Sequence, residues 1–203
     1  MFTKTSSLRP VPSMLEKHRA LLIAVMAAAA QSGCRDSTAV QLAYPNLEQR
    51  RTVYALNGSP ITLPAALAVR STGAVRVDAT FQFDLAFDLD ANGVVQVFTQ
   101  ARVASQLVAT HRVGLLVSNS TFNDITRAPA TGFVYDSVVA LPIGKTLLVD
   151  VLEQSCASSF LGANIRAKIV VDSIVPATRS IYLHVLSDPN CGFRSLAQGT
   201  PKD

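Results

Sequence analysis

A strict alternation of apolar and polar residues constrains the fold of this chain more than any other feature of its sequence. Apolar residues occupy every second position from Val75 to Leu89, and Phe81, Phe83 and Phe87 are among them. Successive side chains of a strand point to opposite faces of a sheet, whereas a helix would scatter this pattern around its circumference. The segment therefore predicts a long strand with these phenylalanines in the core and with Asp84 and Asp88 on a solvated face.

The residues after this strand predict a hairpin turn. Asp90-Ala91-Asn92-Gly93 precedes a second apolar run from Val94 to Phe98, and Asn-Gly is a strong hairpin signal. Asp88, Asp90 and Asn92 also match the opening of a calcium-binding loop, in which oxygen atoms at alternate positions converge on the ion. The twelfth position of such a loop requires a bidentate Glu and is Thr99 here. This difference favours the turn and leaves calcium as a weak alternative.

Further strand candidates follow along the rest of the chain, separated by turn signals such as Asn57-Gly58-Ser59-Pro60 and Pro142-Ile143-Gly144. They are residues 51–56, 65–70, 112–117, 133–140, 146–152, 164–173 and 181–187. About eight to ten short strands at this spacing are typical of an antiparallel sandwich or a barrel. We expect an all-β domain, an antiparallel β-sandwich of immunoglobulin-like or jelly-roll kind, with a closed β-barrel as the alternative.

The first 34 residues of the chain have the composition of an export signal. Lys17, His18 and Arg19 precede an apolar run from Ala20 to Ala30, which is too short to span a bilayer as a helix. The run ends in Gln31-Ser32-Gly33-Cys34, which resembles the lipobox of bacterial lipoproteins, although an aliphatic residue is more usual at the position of Gln31. The resemblance implies that Cys34 carries lipid, palmitate included, and becomes the first mature residue at the outer membrane. Ordinary secretion after Ala27 to Ala30 is the alternative.

The basic character of the chain is concentrated in this leader. Lys4, Arg9, Lys17 and Arg19 precede Cys34 and only Glu16 opposes them, so three of the four net positive charges lie there. The mature arginines are scattered, whereas proteins that bind nucleic acid cluster their cations on one face. A nucleic-acid partner is therefore disfavoured. The pattern predicts a signal peptide over 1–33, a tether over 34–49, a single β domain over 50–198 and a flexible tail over 199–203.

Two cysteines follow Cys34, and both stand in an exported chain. Cys156 and Cys191 are an even pair in a compartment where disulfides persist, which predicts a bridge between them. The competing hypothesis is a reactive thiol at Cys156 with His111 or His184 as its base.

Other candidate site residues are more often structural than chemical. His111 and His184 have no second ligand at metal-binding spacing, so a zinc site is disfavoured. Asp136, Asp150 and Asp172 lie among apolar residues, and any that is buried requires a partner such as Arg166 or Lys168. The chain contains none of the common nucleophile or phosphate-binding motifs, which predicts no catalytic residues and no cofactor.

Several segments of the mature domain are similar to those of uncharacterised lipoproteins of environmental bacteria, a likeness that implies no activity. These segments are residues 52–60, 83–88, 167–173 and 189–196. The leading hypothesis is a non-enzymatic lipid-anchored envelope protein that presents loops or a sheet edge to another envelope protein. The alternatives are a small-ligand carrier with a barrel cavity and a hydrolase with an unrecognised site.

Overall fold

The structure is a computed structural model that describes residues 44–77, 82–104 and 111–200. The predicted signal peptide, Cys34, most of the tether, Phe81 and residues 201–203 lie outside these ranges. The described strands are β1 Leu47–Tyr54, β2 Ala66–Ala68, β3 Gly73–Val75, β4 Leu85–Leu89, β5 Val95–Thr99, β6 Arg112–Ser118, β7 Val134–Tyr135, β8 Val138–Leu141, β9 Thr146–Leu152, β10 Asn164–Val175 and β11 Ser180–Asp188. One short helix, α1 Gln100–Ala104, follows β5, and 3-10 turns follow β9 and β10.

The strands form two antiparallel sheets that pack as a sandwich. The larger sheet has the order β1-β11-β10-β9-β6-β7, and the smaller has the order β3-β2-β4-β5-β8. Alternate residues of both sheets point inward and form one apolar core, in which Phe87, Leu115, Leu147, Ile169 and Leu183 are almost fully buried. The predicted all-β sandwich is confirmed. The sheets are not closed on each other, so the closed-barrel alternative is wrong.

A third layer covers the outer face of the larger sheet. Residues 119–131 and 189–200 run beside each other, joined by the backbone hydrogen bonds from Ala128 N–H to Arg194 O and from Leu196 N–H to Thr126 O. Phe122, Ile125 and Leu196 pack on Leu148 and Leu186 of the sheet. The outer face of this sheet is therefore buried around Leu148 and Leu186, whereas Tyr182 on the outer face of β11 is 41% exposed.

The long strand predicted from Val75 to Leu89 is wrong. Strands β3 and β4 pair with opposite edges of β2, so the chain has to cross from one side of β2 to the other between them. Residues 78–81 of this crossing lie outside the described ranges. Every residue of β4 is buried, and Asp84 and Asp88 are each only 7% exposed. The solvated face predicted for these aspartates is wrong as well, because other parts of the fold cover it.

The strand predicted over residues 133–140 is also divided. Val134 and Tyr135 pair with β6 in the larger sheet, whereas β8 pairs with β5 in the smaller one. Between them Asp136 adopts a φ of 51°, a left-handed conformation that Asp tolerates better than most residues. This residue turns the chain from one sheet to the other at the side of the sandwich.

The domain begins earlier than the predicted boundary at residue 50. Strand β1 starts at Leu47 and pairs with β11 along its whole length. Asn46 donates its backbone N–H to Gly199 O at 2.8 Å, and its side-chain amide donates to Ser195 O and Ala197 O. Residues 44–49 and Gly199 therefore belong to the folded domain and not to the tether or the tail.

The larger sheet defines two ends of the sandwich. Strands β1 and β10 begin at one end, where β9 and β11 finish, and we call it the Leu47 end. Strands β1 and β10 finish at the opposite end, where β9 and β11 begin, and we call it the Tyr54 end.

None of the helical segments in the described ranges has the length and hydropathy that crossing a bilayer demands.

Candidate functional site

Cys156 and Cys191 form a disulfide at the Leu47 end, with their Cα atoms 5.4 Å apart. Cys156 lies in the 3-10 turn after β9 and is buried, and Cys191 follows β11. The bridge was predicted from the export signal and the even cysteine count. Since both sulfur atoms are in the bond, the alternative of a reactive thiol at Cys156 is wrong.

Of the residues proposed to bind calcium, Asp90 serves the hairpin turn instead. The Asp90 carboxylate accepts the backbone N–H groups of Asn92 (2.9 Å) and Val94 (2.8 Å). Gly93 has a φ of 77°, which the turn requires and which glycine adopts without strain. Asp88 faces away from this turn, toward Asn57 and Arg179, with 3.2 Å between Arg179 Nη2 and Asp88 Oδ1. The turn predicted here is therefore confirmed.

His111 and His184 lie apart and each pairs with a carboxylate. His111 Nε2 is 3.1 Å from Asp84 Oδ1, and hydrogen bonding to this carboxylate raises the pKa of His111. His184 Nε2 is 2.7 Å from Glu48 Oε1, and its ring stacks on Phe122 at 4.2 Å between centroids. Across the described ranges, no group of three His, Cys, Asp or Glu side chains is placed to hold a metal ion.

Lys168 is a buried cation that the sequence suggested as a carboxylate partner. It is 4% exposed, and its Nζ donates to the carbonyl oxygens of Phe122 (2.7 Å) and Ile125 (2.8 Å). The ammonium also lies 4.4 Å from the centroid of the Phe122 ring. Burial lowers the pKa of Lys168. This side chain holds the 119–131 segment on the sheet.

Asp150 is the centre of a buried polar cluster on the outer face of the larger sheet. It is 2% exposed, and Arg166 on the neighbouring strand β10 places Nε 3.0 Å from Asp150 Oδ1. Tyr135 Oη and Asn164 Nδ2 each donate to Asp150 Oδ2 at 2.6 Å. Arg166 also donates to Phe193 O. The predicted pairing of a buried aspartate with Arg166 is confirmed for Asp150.

The Asp150 cluster fixes β7 on the sheet, and the missing side chain at Gly114 makes room for this contact. Gly114 of β6 faces Tyr135 and Asp150, and a Cβ at Gly114 would lie 2.9 Å from Cε1 of the Tyr135 ring. The ring therefore crosses over Gly114 to reach Asp150. Arg112 lies 5.0 Å from the centroid of the same ring and pairs with Asp136 at 2.8 Å. The segment from Phe133 to Ser137 is thereby positioned by side chains of β6 and β9.

The Tyr135 phenol should titrate at unusually high pH. Burial and then the hydrogen bond to Asp150 raise its pKa to about 12. Because the folded state holds this proton more tightly, the stabilisation by the contact is complete below about pH 10 and is lost as the pH rises through about 12. The difference in ultraviolet absorbance between the wild type and Tyr135→Phe should show one phenol with this pKa. Gly114→Ala should lower that pKa toward 10 by displacing the ring, and an unchanged value would contradict the proposed contact.

Strand β8 is held at the edge of the smaller sheet by this segment. Thr99 N–H donates to Ser137 O, so in the antiparallel register residues 137, 139 and 141 direct their backbone groups toward β5. Val138 and Ala140 consequently direct their backbone groups away from the sheet. Within the described ranges β5 is the one strand that pairs with β8. The site is therefore a preformed edge, which we call the β8 edge and define as residues 138–141.

Sequence reasoning missed this edge because the two strands that fix its position, β7 and β8, lie in different sheets. Val134–Leu141 alternates weakly, and nothing local marks Asp136 as a point at which the chain changes sheets. The polar cluster was found in part, through Asp150 and Arg166, but the Gly114–Tyr135 crossing depends on strand register. Among the surface grooves of the described part of the chain, those beside Leu116, Ala55, Tyr44 and Ser195 are lined by residues other than His111, His184 and Asp150.

Comparison of the chain with protein-family models, with curated proteins and with solved structures finds no significant match.

Proposed function

We propose that this protein is a non-enzymatic, lipid-anchored envelope protein that binds another envelope protein by adding one of its strands to the β8 edge. The observation that supports binding is the edge itself, a positioned strand with outward backbone groups. Strand addition uses such groups for affinity and the alternate side chains for specificity. Attachment through Cys34 is supported by the export signal, and the disulfide suits an oxidising compartment.

The edge strands of the two sheets are β1, β7, β3 and β8, and β1 and β8 are the longest of them. Their residue types favour β8 over β1 as the binding edge. Strand β1 carries Glu48, Arg50 and Arg51, and charges on an edge strand are a common means of preventing pairing with other chains. Strand β8 has the sequence Val-Val-Ala-Leu and no charge. Val134, at 57% exposed, lies just before it on the same side of the sandwich. The expected partner is therefore an extended, largely apolar segment.

The charged clusters support structural roles. The Asp150 carboxylate is engaged by Arg166, Tyr135 and Asn164, and Lys168 is engaged by two backbone carbonyls. Buried groups that are engaged with one another stabilise a fold and have little capacity to bind a substrate. This supports a binding protein over a hydrolase.

A site-specific crosslink tests the proposed function. A photoreactive residue at position 140 of the full-length protein in its host should give one adduct of defined mass, and Ala140→Lys should remove the partner from the purified complex. The control position is Gln49, an exposed residue on the edge strand β1. Mass analysis of the same sample reports acylation at Cys34.

Each result has a stated meaning. An adduct at position 140 together with slowed hydrogen exchange of the Ala140 amide supports strand addition. Equal adducts at positions 140 and 49, or an adduct between two copies of this chain, would contradict the proposed partner. Ala140→Lys should leave the unfolding midpoint unchanged because this side chain is exposed.

A further inference from the structure

The most exposed large apolar side chain at the Leu47 end belongs to Phe160, which is 84% exposed. Leu161 beside it is 40% exposed, and Tyr44 is 58% exposed. Isolated exposed apolar residues are common, but a group of them beside the disulfide of a small domain indicates a contact surface. Phe160, Leu161 and Tyr44 are called the apical residues below.

The structure holds the apical residues on one framework. Asn190 accepts the Tyr44 N–H (3.1 Å) and donates to Tyr44 O (2.8 Å), and it is itself bound by Asp188. The next residue, Cys191, is joined to Cys156 at the base of the loop that carries Phe160. Leu161 packs against Gly192, where a Cβ would lie 2.4 Å from the backbone of Leu161. Their exposure is therefore maintained by a disulfide and several hydrogen bonds.

The loop that carries two of the apical residues contains no charged side chain, although Glu153 precedes it and Arg70 donates to Ser155 within it. The ten residues from Gln154 to Ala163 include no Asp, Glu, Lys or Arg. A groove of about 550 Å³ beside Tyr44 is lined by Pro45, Leu47, Arg70, Ser71 and Pro189, of which only Arg70 is charged. Charged residues stand at both ends of the sandwich, Arg112 and Glu153 at the Leu47 end and Lys145 and Arg179 at the Tyr54 end. The uncharged surface at the Leu47 end is therefore confined to the loop that carries Phe160 and Leu161.

Chain length relates this end to Cys34. Tyr44 lies ten positions after Cys34, and the chain between them spans at most about 35 Å when fully extended. Strand β1 has eight residues and is about 26 Å long. If the Tyr54 end faced the bilayer, the segment between Cys34 and Tyr44 would have to run back along the length of the domain. That path would take most of the segment's maximum length. An anchor at Cys34 favours the Leu47 end as the membrane-proximal end.

We infer that the Leu47 end rests on the lipid bilayer, with the apical residues in its interfacial region; this rests on the proposed anchoring through Cys34. Aromatic side chains suit that region because their rings are apolar and their edges tolerate water. The contact orients the domain, so that the β8 edge, which runs along the side of the sandwich, stays accessible to a partner. It also adds a second membrane contact to the acyl chains.

Tryptophan fluorescence tests this orientation, because the chain contains no Trp. Full-length acylated F160W is reconstituted in phosphatidylcholine vesicles whose acyl chains carry bromine, which quenches indole emission on contact. The matched control is I61W, since Ile61 is 83% exposed and lies in the connection after β1, at the Tyr54 end. We expect F160W to lose most of its emission and shift to shorter wavelength, and I61W to emit as it does without bromine.

The outcomes separate this inference from the proposed function. An acylated chain in which F160W and I61W are equally unquenched, or in which I61W is the more quenched, overturns the orientation and leaves the anchor intact. A chain that sediments without vesicles and carries no acyl group at Cys34 overturns both the anchor and the orientation.

Discussion

Asp150→Ala should lower the free energy of unfolding by about 3 to 5 kcal/mol, because it leaves the Arg166 guanidinium buried without its counter-charge. The side chains of Asp150 and Arg166 are only 3% and 12% exposed. The same substitution removes the acceptor for Tyr135 and Asn164, so β7 loses its hold on the sheet. Urea unfolding with the disulfide intact, followed by circular dichroism, measures this loss.

A surface aspartate provides the matched control. Asp172 pairs with Arg50 on the same sheet, but the arginine side chain is 72% exposed. Exposed ion pairs contribute about 0 to 1 kcal/mol, so Asp172→Ala should have little effect. Equal losses for Asp150→Ala and Asp172→Ala would show that the buried cluster is not an important source of stability. Asp150→Asn, which retains an acceptor oxygen, should fall between the wild type and Asp150→Ala.

Removing the disulfide should be the second large effect. Cys156 and Cys191 are 35 residues apart, and releasing a loop of this size costs about 3 to 4 kcal/mol through the entropy gained by the unfolded chain. The double variant Cys156→Ala/Cys191→Ala should therefore unfold at lower temperature than the wild type. Calorimetry with and without reductant measures the difference, and reduced wild type should match the double variant.

The third cysteine controls for the chemistry of the substitution. Cys34→Ala removes the proposed acylation site, which lies outside the bridge, so it should not shift the unfolding temperature of detergent-solubilised protein. The native protein should show no free thiol at Cys156 or Cys191. An unchanged melting temperature in the double variant would mean that the bridge adds no net stability.

The two large effects explain how the Phe160 loop, which has no charged side chain from Gln154 to Ala163, can remain ordered. The bridge holds the loop of Phe160 to the segment after β11, and the Asp150 cluster lies on the same half of the larger sheet, near Asn164 and Phe193. Loss of the disulfide or of the Asp150 cluster should therefore make the Leu47 end unfold locally before the Tyr54 end. Hydrogen exchange in Asp150→Ala would report this order of opening.

Local patterns were sufficient for the class of fold and for several strands. Residues 146–152 were predicted as a strand and are β9, because their apolar run fits a strand buried on both sides. The Asp90 to Gly93 turn was predicted because its hydrogen bonds join residues within four positions of one another. The cysteine pair was predicted from compartment and number, which do not depend on the fold.

Long-range pairing decided what local patterns did not. The alternation through Asp84 and Asp88 indicates a solvated face, yet His111, Val69, Asn57 and Arg179 come from distant parts of the chain to cover both aspartates. Similarly, the 119–131 segment has little periodicity, and it becomes ordered by packing on Leu148 and Leu186 and by the bonds of Lys168. A sequence window contains only one partner of each of these contacts.

By itself, then, the sequence determined an all-β domain with a hairpin at Asp90 and predicted a disulfide and an export signal, because alternation, turn chemistry and residue type act over a few neighbours. Only the tertiary structure decided which strands form the edges, which aspartates are buried and which end carries the exposed Phe160. Those properties depend on strand order and register, which bring Gly114 beneath Tyr135 and Cys191 beside Cys156. Register is set by packing of the whole core, so no single segment of the chain contains it.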